Sequence, residues 1–139
     1  MSAPSKLLPV ADPVTAPFWE SVRAHAMQIQ QCDACERFVF YPRVVCPHCG
    51  SRALTWRPVA GTGVVHAFAI VHRHPNPAFA AEIPYVVALV ELDEGVRMMT
   101  NLVDVPPDPA AVRVGMPVEV VYDDVSDEVT LPKFRPRSG

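Results

Sequence analysis

A mainly β protein, with one N-terminal helix, a small metal-stapled ribbon and a five-stranded barrel, is what three features of this chain predict. The first is a matched double pair: Cys32-x-x-Cys35 and Cys46-x-x-Cys49 are the only cysteines. The second is an apolar stretch of helical period ahead of them. The third is a series of short strand patterns from Gly61 onward, with no helical period among them.

The helix is predicted over Pro13 to Met27. Pro17 fits a first turn, where a missing N–H costs nothing. Phe18, Val22 and Ala26 then recur at i, i+4 and i+8 on one face, and Glu20 and Arg23 lie on another. Trp19 widens the apolar surface. Phe18 and Trp19 either pack on the protein's own core or form a partner-docking face, and both readings stand at this point. Residues 1–12 read as a flexible arm.

The ribbon follows. Met27 to Gln31 alternates apolar and polar residues, a strand leading into the first cysteine turn. Arg37 to Tyr41 leads away from it, and Leu54 to Arg57 follows the second turn. Each C-x-x-C places two thiolates on one tight turn, and two turns brought together offer four sulfurs at the corners of a tetrahedron. That pattern predicts a structural zinc held by Cys32, Cys35, Cys46 and Cys49, with no position left open for chemistry. A redox dithiol, a disulfide framework or plain core cysteines are the competing readings, and an iron-bearing electron carrier is a weaker one. Gly50 stands where the chain curls past the second turn, often at positive φ. Glu36 occupies the matching position in the first, where a left-handed backbone would cost it about 1 kcal/mol. His48, between two ligands, reads as a solvent-facing residue of the second turn.

Five strands are predicted behind the ribbon, at 63–73, 85–92, 96–103, 117–123 and 128–134. Asp93-Glu94-Gly95 turns the second into the third. Five strands with a longer third-to-fourth connection suggest a small Greek-key barrel of the oligonucleotide/oligosaccharide-binding (OB) type. The predicted organisation is an arm at 1–12, helix and ribbon at 13–60, barrel at 61–136 and a tail at 137–139.

Composition narrows the function. Half of the 139 residues are apolar, so the chain is globular. No apolar run is long enough to span a bilayer, and the start lacks a signal peptide's hydrophobic stretch; a cytoplasmic, reducing setting is expected, which favours thiolates on zinc. Residues 1–60 carry a net +2 and residues 61–139 a net −5. A nucleic-acid surface is normally basic, so the acidic barrel half argues against a stand-alone nucleic-acid binder. Ser21, Ser51 and Ser126 have no nucleophile motif around them. The acidic run at 123–128 reads as a solvated hairpin tip, and Lys133, Arg135 and Arg137 as a small basic tail. His66 reads as a strand-face residue. His72, Arg73 and His74 open a proline-braced loop that also contains Phe79. The loop either shapes an interface or lends its two histidines and arginine to a phosphate or to the lining of a partner's active-site mouth.

The ordered motifs resemble a known family. They include Pro17-Phe18-Trp19-Glu20, Gln31-Cys32-Asp33-Ala34-Cys35, Tyr41-Pro42-Arg43 and Cys46-Pro47-His48-Cys49-Gly50-Ser51. They continue through Gly61-Thr62-Gly63, Val71-His72-Arg73, the run from Pro84 to Gly95, Thr100-Asn101-Leu102-Val103, Val114-Gly115-Met116-Pro117-Val118 and Leu131-Pro132-Lys133-Phe134-Arg135-Pro136. Over about Phe18 to Pro136 the chain is similar to bacterial and archaeal proteins that join a rubredoxin-like zinc ribbon to an OB-fold, long catalogued as a domain of unknown function. Glu36 is the visible departure, where many relatives carry glycine. The resemblance implies a non-catalytic accessory subunit in acyl-CoA metabolism, docked on a thiolase-superfamily enzyme in a hetero-oligomer. Thiolases and thiolase-like aldolases of steroid side-chain degradation are the implied partners, with hydratase-type subunits alongside. It also implies that the reactive residues belong to the partner. The alternatives are the nucleic-acid binder and a hydratase or thioesterase acting through His72 and His74.

Overall fold

The computed structural model describes residues 12–73 and 83–137. Its elements run in the order α1 (Ala16–Arg23), β1 (Gln28–Cys32), β2 (Phe38–Val39), β3 (Leu54–Pro58), β4 (Thr62–Val71), β5 (Tyr85–Leu92), β6 (Arg97–Leu102), β7 (Pro117–Asp124) and β8 (Thr130–Pro136). A three-stranded sheet in the order β2-β1-β3 forms the ribbon, and β4-β5-β6-β8-β7 close into a barrel. The fold is thus mainly β: a short helix, a ribbon with four cysteines and a five-stranded OB-type barrel.

The helix is shorter than its apolar period predicts. The Asp12 carboxylate accepts the N–H groups of Val14 and Thr15 at 2.9 and 2.8 Å, which sets the turn leading in. The helix then stops at Arg23, because His25 adopts a left-handed φ of 58°. Ala26, expected on the apolar face, is therefore exposed beyond the helix, whereas Phe18 and Val22 are buried.

What holds His25 in that conformation lies on the barrel. Its ring stacks on Tyr122 at 4.8 Å, and Nε2 sits 2.9 Å from Asp124 Oδ1. The Thr130 hydroxyl donates to the same carboxylate at 2.6 Å, and the Tyr122 hydroxyl accepts the Met27 N–H at 3.0 Å. These contacts fasten the helix-to-ribbon link to the end of the β7–β8 hairpin. The His25 bond, followed by that from Thr130, holds the Asp124 carboxyl below its ordinary 3.8. A depressed carboxylate adds stability above its ordinary value, lost as pH falls through the lowered one. NMR titration should therefore place the Asp124 midpoint below 3.8, and His25→Ala should raise it. An identical midpoint in both proteins would contradict this coupling.

The barrel strands follow the predicted patterns closely, with shifts at their ends. β5 alternates strictly, its Val86, Ala88, Val90 and Leu92 pointing inward. β4 bulges at His66, between Val65 and Ala67, so one strand bends enough to pair with β5 along its length and with β7 at its start. Gly63 pairs there with β5 on one side and β7 on the other, and a Cβ would collide with the Glu91 carbonyl oxygen of β5; only glycine lets β4 and β5 approach so closely. β8 closes the cylinder, parallel to β6 at Leu102↔Phe134 and antiparallel to β7 from Val118↔Pro136 to Asp124↔Thr130.

The expected basic tail is corrected by this pairing. Lys133 and Arg135 lie within β8, and their charges are met across the ladder, Lys133 by Asp123 at 2.7 Å and Arg135 by Glu119 at 3.3 Å. The ribbon and barrel are not independent. Phe18, Val22, Met27 and Ile29 belong to the same buried cluster as Val65, Val90, Leu102, Val118 and Phe134. Cys32, Val39 and Cys46 make a separate small core, with Leu54 packed against it.

Candidate metal centre

Two matched turns build the sulfur cluster. In the first, the Glu36 N–H donates to the Cys32 carbonyl at 2.8 Å; in the second, the Gly50 N–H donates to the Cys46 carbonyl, also at 2.8 Å. Both residues take positive φ, 66° at Glu36 and 78° at Gly50. The backbone at Glu36 is therefore left-handed, as at Gly50. Its cost, about 1 kcal/mol, is small beside what a bound zinc contributes. The Gln31 amide donates to the Glu36 carbonyl at 2.9 Å and braces this turn.

The four sulfurs lie within 4.8 Å of one another. Cys32 Sγ is 3.5 Å from Cys49 Sγ, and Cys35 Sγ is 3.7 Å from Cys46 Sγ. A tetrahedron with arms of about 2.3 Å has edges of about 3.8 Å, so the spacing fits zinc and all four cysteines are free thiols. Backbone N–H groups of Cys35 and His48 point at Cys32 Sγ and Cys46 Sγ, each at 3.4 Å. The Cys35 N–H draws the Cys32 thiol down to about 6. Cys49 is pushed the other way, to about 12: the Ser51 N–H lowers it, but the neighbouring Cys32 and burial outweigh that. Like charges sharing one site resist joint ionisation, and a divalent cation among them removes the conflict. The cluster is thus a site able to hold a metal ion. His48 stays outside it, exposed, with Nδ1 3.3 Å from Arg37 Nη1.

The other candidate residues are scattered. Phe18 is only 4% exposed and packs edge-on to Trp19 and against Phe40, so its ring belongs to the core, the first of the two readings held for it. Trp19 is half-buried and lines an apolar cleft of about 260 Å³ between α1, the ribbon and the barrel, with Phe40, Tyr41, Met99 and Pro132. Sequence reasoning missed this cleft because its walls come from α1, the ribbon, β6 and β8. His72 and Arg73 are exposed just beyond β4, whereas His74 and Phe79 fall outside the described residues. His66 is exposed at the bulge. Ser21 is buried, its hydroxyl donating to the Phe18 carbonyl and accepting the Gln28 N–H, which is a structural role. Among the described residues, no helix is long and apolar enough to cross a membrane.

A four-cysteine ribbon fused to a closed five-stranded barrel defines a zinc-ribbon/OB-fold protein. The comparisons with known proteins narrow the class. Residues 19–55 match the rubredoxin-like zinc ribbon domain of ChsH2, and residues 56–123 match the ChsH2 C-terminal OB-fold domain. The chain belongs to this ChsH2/DUF35 family. A DUF35 domain-containing scaffold protein of Methanothermobacter thermautotrophicus is 34% identical over 70% of this chain and 72% of its own length. A probable enoyl-CoA hydratase alpha subunit of Thermomonospora curvata is 46% identical over 86% of this chain. The 3-oxo-4,17-pregnadiene-20-carboxyl-CoA hydratase alpha subunit of Mycobacterium tuberculosis is 39% identical over 81%. This chain spans about a third of those two relatives, 36% and 35% of their lengths. Among solved structures, a chain of the Ltp2-ChsH2(DUF35) aldolase superposes with a TM-score of 0.81 at 42% identity, covering 92% of this chain and 98% of that one.

Proposed function

We propose that this chain is an accessory subunit that docks on a thiolase-superfamily enzyme, a thiolase or thiolase-like aldolase, and supports its turnover of an acyl-CoA without supplying a catalytic group. The observation that carries this reading is the likeness, over nearly the whole chain, to a component of the Ltp2-ChsH2(DUF35) aldolase. The scaffold relatives support a role in holding other proteins, and the CoA thioester in the mycobacterial relative's name supports acyl-CoA, of a steroid side chain in particular, as the setting. The metal centre fits the role, since a closed four-sulfur site has no position for substrate and acts as a staple.

Co-expression with a thiolase-superfamily enzyme from the same genome tests the proposal. A single hetero-oligomer is expected, with faster acyl-CoA turnover than the enzyme shows alone. Separate migration of the two proteins, with full activity in the enzyme alone, would overturn it. So would acyl-CoA turnover by the pure subunit that disappears in His72→Ala.

A further inference from the structure

Alternate residues of β4, β5 and β6 face away from the barrel core, and the middle of that outward face is apolar. The register sets Ala67 opposite Leu89, Leu89 opposite Met99, and Ala69 opposite Val87. Directly opposed residues of antiparallel strands share a face, so these five side chains form one patch. Ala67 and Ala69 are exposed, Val87 and Leu89 half-buried, and Met99 is 62% exposed. Two polar groups bordering the patch are already engaged, and His66 stands exposed at the bulge beside Ala67. The Asn101 amide donates to the Val86 carbonyl at 3.1 Å, and Arg97 Nε meets the Glu91 carboxylate at 3.4 Å.

This is the surface on which OB barrels usually take oligonucleotides, the face of their second and third strands. A nucleic-acid strand there needs cations for phosphate and flat rings for bases. The five patch residues offer neither, Arg97 beside them is paired, and Lys133, the cation lining the adjoining cleft with Trp19 and Tyr41, is held by Asp123. Charge complementarity therefore selects an uncharged, apolar protein surface as occupant. We propose that this face, centred on Leu89 and Met99, is where the partner enzyme seats; the inference rests on the accessory-subunit reading above. Five side chains cover far less than the roughly 800 Å² per partner of a stable interface, so they form its desolvated centre. Met99 also lines the cleft beside Trp19 and Tyr41, which extends the footprint toward the ribbon. At about 260 Å³ the cleft is below the usual 300–1,000 Å³ or so of small-molecule sites and above the roughly 150 Å³ that holds benzene. It suits one aromatic side chain of that partner.

The test uses the full chain and the co-expressed thiolase-superfamily enzyme, with binding measured by calorimetry. Wild type is expected to bind, and Leu89→Asp and Ala69→Glu to bind at least about 30-fold more weakly. Ala69 is already exposed, so its variant should keep zinc content and melting temperature unchanged. Val125→Glu, on the 43% exposed tip between β7 and β8, should bind as wild type does. Wild-type affinity in Ala69→Glu would overturn the placement and leave the accessory reading standing, whereas no binding by the wild type would overturn both. Self-association of the chain alone that Ala69→Glu abolishes would assign the face to a second copy, and a salt-sensitive single-stranded RNA shift abolished by Ala69→Glu would assign it to nucleic acid; either overturns the proposal.

Discussion

Cys46→Ser should release the metal and unfold the ribbon. Cys46 is 1% exposed, so no nearby water stands ready to replace its thiolate. Structural zinc is worth about 10–16 kcal/mol to small finger peptides. Here part of the ribbon is held independently, because Met27 and Ile29 sit in the cluster shared with the barrel. A loss of several kcal/mol is expected, lowering the melting temperature by roughly 10 °C or more. Zinc content measured by mass spectrometry should fall from one per chain toward zero, and amide exchange should quicken across residues 32–50. Chelation of the wild type should reproduce both changes. Full zinc content with unchanged melting in Cys46→Ser would show that the four-sulfur site does not hold the ribbon together.

Phe134→Ala should be the most damaging single truncation in the barrel. Phe134 is fully buried and pairs with Val120 on one side and Leu102 on the other, at the one place where β6 and β8 run parallel. The Val103 N–H donates to the Phe134 carbonyl at 2.8 Å, so the ring sits directly behind the backbone bonds that join β8 to the end of β6. Removing the ring leaves a cavity at the closure seam and should cost about 3–5 kcal/mol. That is a large share of the roughly 5–15 kcal/mol that keeps a domain folded. Urea denaturation followed by far-UV circular dichroism reads the loss as a lower midpoint. A midpoint equal to the wild type's would mean that the barrel's closure does not depend on this ring.

The cysteine spacing made the ribbon legible, because two tight turns and four sulfurs leave little geometric freedom. The strands were legible where burial alternates strictly, as in β5. They were less so where it does not: β8 was expected to end at 134, yet it runs through Pro136, whose missing N–H the ladder with Val118 tolerates. The helix end was not legible. Neither glycine nor proline marks it, and His25 turns left-handed under the hold of Tyr122 and Asp124, roughly a hundred residues away in sequence. The same non-locality hid the cleft and the outward patch. An alternating strand announces that one face will be buried, but not whether the other will stay wet.

The cluster that unites Phe18, Met27 and Ile29 with the barrel also makes residues 55 and 56, where the two matched family models meet, a poor place to divide the chain. Either half, expressed alone, would carry an oily scar of side chains meant for the other. Swapping ribbons among relatives to change partners would thus need to bring the facing barrel residues along, so that the unit of inheritance is the seam as much as either module.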